Sequence, residues 1–136
     1  SSLHYKKLFV GKGLEHHTTT EAIAHATVQL AYELDAAAII TPTESGYTTQ
    51  MVSKYRPKAA IFAFTPHEQV ARHLNLRWGV LPAPAARLWK DASEMRHMAT
   101  AAAEKCGAIK PGDVTIITSG IKCVPGNTSS IRVYTV

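Results

Sequence analysis

The sequence has little that would place it in a membrane, an oxidising compartment or a disordered state. No apolar stretch is long enough to cross a bilayer, and the first residues hold no apolar core of a secretory signal. Only two cysteines occur, Cys106 and Cys123, without a CxxC spacing, so a reduced cytoplasmic setting is expected rather than a disulfide framework. Charged residues make up only 18% and apolar residues 46%, which excludes a chain too polar to bury a core. Aromatic residues are few, at 7%, and none forms an RNA-binding signature. The net charge of +5 therefore reads as a solvated basic surface that favours anionic partners in general. Neither nucleic acid nor membrane is an expected partner.

Catalytic signatures are also missing. Gly11–Gly13 ("GKG") lacks both the third glycine of a dinucleotide fingerprint and the GK[ST] ending of a P-loop, so it reads as a turn. Glu15, His16 and His17 could ligate a metal, but no HExxH or His-x-His pattern completes a site. No GxSxG elbow surrounds Ser45 or Ser119, and no carboxylate pair is placed by spacing for acid–base work. His25, His67, His73 and His97 fall on expected helices, as solvated or satisfied side chains.

What is present is an alternation of short apolar runs with amphipathic segments. Residues 1–17 read as a lead-in segment, and residues 18–136 as one domain. Thr18 and Glu21 form a capping-box pattern, and Ile23, Ala26, Thr27, Leu30, Ala31 and Leu34 follow at helical spacing. "AAAIIT" reads as a buried strand, and "SGYTTQMVSKY" as a helix opening between Ser45 and Thr48 and ended by Arg56-Pro57. "AAIFAFT" is a second strand. Pro66 suits the first turn of the next helix, and "GVLPAPA" is a third strand. Ser93 and Gly107 bracket an alanine-rich helix as cap and stop. "VTIITSG" is a fourth strand and "SIRVYTV" a fifth, joined by about nine residues, too few for a parallel crossover. The expected fold is α/β: a three-layer α/β/α open sheet of five strands, mostly parallel, with the last strand antiparallel at an edge.

Two loops carry a chemical signal. In open α/β sheets ligands bind beyond the carboxyl ends of strands, where the strand order reverses. "TPTESGYTT" (Thr41–Thr49) follows the first strand and leads into a helix, whose free N–H groups and dipole favour a phosphate. Thr43, Ser45 and Thr48 add hydroxyls, and Gly46 permits close backbone approach. The bland alternative is a hydroxyl-rich helix cap. The second loop, "TSGIKCVPGNTSS", follows the fourth strand.

The segment from Glu21 to Pro82, with "TESGYT" and "SKYRP", resembles the C-terminal domain of pyruvate kinase. The similarity continues through "GAIKPGDVTIITSG" and "PGNTSSIRV". The resemblance implies a five-stranded sheet between helices, a regulatory rather than catalytic role in glycolysis, and a part in subunit assembly. It implies no catalytic residue, cofactor or metal in these residues. Phosphoryl transfer, with Mg and K ions, belongs to a TIM-barrel domain that would precede them. The implied ligand is a phosphorylated effector, a sugar phosphate or AMP. Its phosphate loop maps to Thr43, Glu44, Ser45, Gly46, Tyr47 and Thr48. The second loop maps to Ser119, Gly120, Pro125, Gly126, Asn127 and Thr128. Trp89 and Arg96 stand one residue out of register with positions that hold a second phosphate, and Lys122 could assist.

Glu44 departs from the lysine that responsive members of the family can carry. A carboxylate about 4 Å from a phosphate would cost several kcal/mol at an effective dielectric near 20. That cost motivates a second reading, an assembly module with a vestigial effector site that self-associates through its last strand. A third reading, a stand-alone enzyme acting on a phosphorylated metabolite, requires an acid–base pair.

Overall fold

The computed structural model describes residues 19–120 and 128–136. Within these residues, four helices and five strands follow in order: α1 (Thr19–Glu33), β1 (Ala38–Pro42), α2 (Tyr47–Lys54), β2 (Ala60–Thr65), α3 (Glu68–Leu74), β3 (Val80–Pro84), α4 (Ala92–Lys105), β4 (Val114–Gly120) and β5 (Thr128–Thr135). They build one sheet in the order β3-β2-β1-β4-β5. The first four strands run parallel, and β5 is antiparallel to β4 at the edge. The expected α/β/α sheet is therefore what the chain forms. No helix among the described residues is long and apolar enough to cross a membrane.

Strand alternation divides the core into two layers. Ile39, Ile61, Ala63 and Ile116 face α1, α2 and α3, burying Ala24, Val28, Val52 and Leu74. Their neighbours Ile40, Phe62, Phe64 and Ile117 face the other way, onto Met95, Ala99 and Ala103 of α4. Period-two alternation with both faces covered explains why the strands read as nearly continuous apolar runs. Each of the large side chains contributes about 1.5–3 kcal/mol through burial.

Several local expectations shift. The buried stripe of α1 is Thr20, Ala24, Thr27, Val28 and Ala31, while Ala26 and Leu34 are exposed. The small residues face the sheet and let the helix approach closely; Ile23 and Leu30 flank them. The N-cap proposed at Thr18 lies outside the described residues. Pro66 does not enter the first turn of α3: His67 is the N-cap, with extended backbone, and Pro66 precedes it. Ser93 does not cap α4. Asp91 does, its Oδ1 accepting from Glu94 N–H at 2.8 Å. Glu94 returns the favour one residue earlier, accepting from Lys90 N–H at 3.0 Å. Gly107 does stop α4. At φ 81° it occupies the left-handed position of a Schellman end, with bonds from Gly107 N–H to Glu104 O (3.0 Å) and Ala108 N–H to Ala103 O (2.9 Å). The last strand begins at Thr128, earlier than "SIRVYTV" suggests, with a register irregularity at Ser119/Gly120.

Candidate functional site

The strand order reverses at β1, which has β2 on one side and β4 on the other. A proline at its end, Pro42, would ordinarily argue against a central strand. Its placement explains it. Thr43 N–H donates to Phe64 O of β2 at 2.9 Å. Successive residues of a strand in a sheet point their N–H groups to alternate neighbours, so the group that Pro42 lacks would have faced β4. The β1–β4 ladder accordingly runs only from Ala38↔Thr115 to Ile40↔Ile117. Thr43 and Gly120 each lie three residues beyond that last pair, at the same end of two parallel strands. The sheet thus places the loop after β1 and the end of β4 side by side, with their backbones unzipped.

The loop after β1 is folded by its own hydroxyls. Gly46 N–H donates to Thr43 Oγ1 at 2.8 Å, and Tyr47 N–H donates to Ser45 Oγ at 3.2 Å. Gly46 is the N-cap of α2, at φ 86° and ψ −2°, and its carbonyl accepts from Gln50 N–H at 2.9 Å. The left-handed turn swings the chain from strand to helix, so α2 opens at Tyr47, inside the expected range. A Cβ on Gly46 would stand 3.2 Å from Leu74 Cδ2 and 3.3 Å from Val70 Cγ1 of α3. Below the loop, Thr41 Oγ1 and Thr49 Oγ1 form a buried hydrogen bond of 2.7 Å that ties β1 to α2. Thr43 and Thr48 are buried, Glu44 and Tyr47 half-buried, and Ser45 exposed.

Glu44 does not stand unpartnered in this loop. Its Oε1 lies 3.3 Å from His67 Nε2, and His67 follows β2. His67 was expected on a helix face; as an N-cap it turns its ring to the loop instead, and its own N–H donates to Thr65 Oγ1 at 3.2 Å. The pair holds the carboxylate toward β2, on the side of β1 away from β4. Sequence spacing missed His67. The signal that could have found it is its place just past the end of the strand beside β1.

The remaining expected residues divide. Ser119 and Gly120 end β4, and Thr128 pairs with Gly120 at the start of β5, so these three backbones meet at the sheet end. Lys122, Pro125, Gly126 and Asn127 lie outside the described residues, as do Gly11–Gly13, Glu15–His17 and Cys123. Trp89 stacks on Phe64 of β2, with centroids 5.7 Å apart. The Arg96 guanidinium lies 5.9 Å over the Tyr134 ring of β5. Since β1 and β4 separate those strands, the two contacts are roughly 14 Å apart across the sheet. The structure does not bring Trp89 and Arg96 together. Among the described residues, no three His, Cys, Asp or Glu side chains converge as metal ligands.

The family profile for the pyruvate kinase alpha/beta domain matches residues 21–134. The chain is 40% identical over 137 residues to the pyruvate kinase of Geobacillus stearothermophilus, an alignment covering 99% of this chain and 23% of that protein. Identity to the pyruvate kinase of Bacillus licheniformis is 36% over 136 residues, again 99% and 23%. Identity to that of Thermotoga maritima is 38% over 133 residues, covering 96% and 28%. The chain thus spans about a quarter of the length of these relatives. A match that embraces nearly the whole sheet and its helices shows that the chain belongs to the pyruvate kinase family, as its C-terminal alpha/beta domain.

Proposed function

We propose that residues 18–136 form a regulatory domain that binds a phosphorylated effector at the switch between β1 and β4, with residues 1–17 as a lead-in. The observation that carries this reading is the loop after β1. It runs from a strand end, through a left-handed glycine, into a helix N-terminus, next to the unzipped end of β4. Such an end offers N–H donors and a favourable dipole to an anion. Thr43 and Ser45 oxygens now accept from two of these N–H groups. A phosphate oxygen would take over those bonds as a charged, stronger acceptor. Glu44 is drawn aside by His67, which reduces the repulsion that the sequence alone predicts. Phosphoryl transfer itself, with its Mg and K ions, would belong to the remainder of a pyruvate kinase. The Glu44–His67 pair at the loop is held in a mutual contact, with a charge-positioning role rather than a catalytic one, so the isolated chain is expected to be inactive. Robust turnover in a lactate dehydrogenase-coupled assay would overturn that part.

The test of effector binding is a calorimetric and thermal-shift panel with fructose 1,6-bisphosphate, AMP, ribose 5-phosphate and inorganic phosphate. Saturable binding that Ser45→Asp abolishes is the expected result. Silence across the panel would refute it.

A second reading rests on β5. Among the described residues it is an edge strand bonded on one side only, to β4, and its Val133 is exposed. An open edge is a template for another strand, so self-association through β5 is the alternative role. Analytical ultracentrifugation over a dilution series tests it, and a strict monomer at high concentration would exclude it.

A further inference from the structure

The opposite end of the sheet carries a second site, unrelated to the loop after β1. The end of α2 and the turn between α3 and β3 border an open cleft of about 460 Å³. That volume falls within the usual range for small-molecule pockets, roughly 300–1,000 Å³. Lys54, Arg56 and Arg77 line it, and among the described residues no carboxylate does. All three are exposed, and cations gathered around one concavity favour an anion there.

The cleft is built rather than incidental, because its two walls are cross-linked at three points. Ser53 Oγ donates to Trp78 O at 2.8 Å. Arg77 Nη2 donates to Gln50 Oε1 at 3.2 Å. The Arg56 guanidinium lies 6.0 Å over the Trp78 ring. Arg56 also has a left-handed backbone, φ 48°, uncommon for a residue with a side chain. At the negative end of α2, two of the last carbonyls, those of Val52 and Ser53, are already satisfied. Tyr55 N–H donates to Val52 O at 3.2 Å and Arg56 N–H to Ser53 O at 2.9 Å. Trp78 is 48% exposed, so its indole remains available to a ligand.

We propose that this cleft binds a small polyanionic metabolite, one carrying two or more phosphate or carboxylate groups, with Lys54, Arg56 and Arg77 as its counter-charges. Lys54 and Arg56 come from the end of α2 and Arg77 from the turn before β3, so both walls supply a cation, which suits a ligand with more than one anionic group.

The experiment is an ¹H–¹⁵N titration of the full 136-residue chain with pyrophosphate and, separately, citrate, each against sodium chloride of equal ionic strength. The two indoles make internal reporters: Trp78 lies at the cleft, and Trp89 packs on Phe64 on the other face of the sheet. Saturable shifts of the Trp78 indole, absent with sodium chloride and absent at Trp89, are expected with at least one of the two. The tighter of the pair identifies phosphate or carboxylate as the recognised group. Arg77→Gln and the exposed Lys54→Gln should each weaken binding about fivefold. Ser45→Asp should leave it unchanged, so failure here is distinguishable from failure of the effector loop. Linear shifts matched by sodium chloride, or affinities unmoved in both Lys54→Gln and Arg77→Gln, would overturn the proposal.

Discussion

Glu44 Oε1 lies 3.3 Å from His67 Nε2, across 23 residues of sequence and between the ends of two adjacent parallel strands. This contact decides where the acid of the loop after β1 points. Removing it with His67→Ala should release the carboxylate toward the crevice and weaken phosphate binding severalfold. Glu44→Lys should strengthen it, by about tenfold at low salt and less at high salt, because the groups are partly solvated. Isothermal titration at two ionic strengths measures both. Equal affinities in all three proteins would mean that no anion sits near this loop.

Gly46→Ala should destabilise the fold by about 1–2 kcal/mol, since a side chain at φ 86° is strained and its Cβ would press on Leu74 and Val70. Urea unfolding reads the loss. A variant as stable as the parent would show that the turn relaxes freely.

The buried Thr41–Thr49 bond lends itself to a double-mutant cycle. Either single valine substitution deprives the remaining hydroxyl of this partner, at a cost of about 1–3 kcal/mol. The double substitution replaces both polar groups by methyls of similar shape and should cost less than the sum of the singles. Strict additivity in equilibrium unfolding would contradict the coupling.

Thr43→Val keeps the shape but removes the acceptor of Gly46 N–H. It should cost about 1 kcal/mol in stability. Phosphate affinity should not fall with it, because a bound phosphate would replace that acceptor on Gly46 N–H. Affinity that survives while stability falls would separate folding of the loop from ligand binding.

The first turn of α4 should make stability depend on acid pH. The Arg87 guanidinium, by hydrogen bond, and then Lys90 N–H hold the Glu94 carboxyl below its ordinary value. A carboxyl lowered in the folded state adds stability above its unfolded value, and that stability is lost as pH falls through the lowered one. The window therefore opens near the ordinary glutamate value, about pH 4.3, and extends below it. Thermal melts of the parent should exceed those of Glu94→Gln at neutral pH and converge with them as the pH falls below the ordinary carboxylate range. A gap that persists in acid would assign the effect to packing instead.

Part of this molecule was legible residue by residue. The apolar runs at 38–42, 60–65 and 114–120 announced buried strands because both faces of a parallel sheet are covered. The short connection before β5 announced its antiparallel, edge position. Gly107 announced a helix stop, because a left-handed residue there favours glycine. Caps were less legible. Ser93 and Asp91 are both good cap residues, and the choice fell to Asp91 because the chain leaves its extended path there. The stripe of α1 was misplaced because small residues, not the largest apolar ones, let a helix lie close to a sheet.

The sequence by itself determined the order of elements, the family, and the hydroxyl- and glycine-rich loop, all of which rest on local pattern. Tertiary structure alone decided what that loop faces. It set Pro42 where its missing N–H opens the ladder toward β4, and it brought His67 within reach of Glu44. Both outcomes depend on which strand lies on which side of β1, a relation between segments distant in the chain that no local pattern encodes.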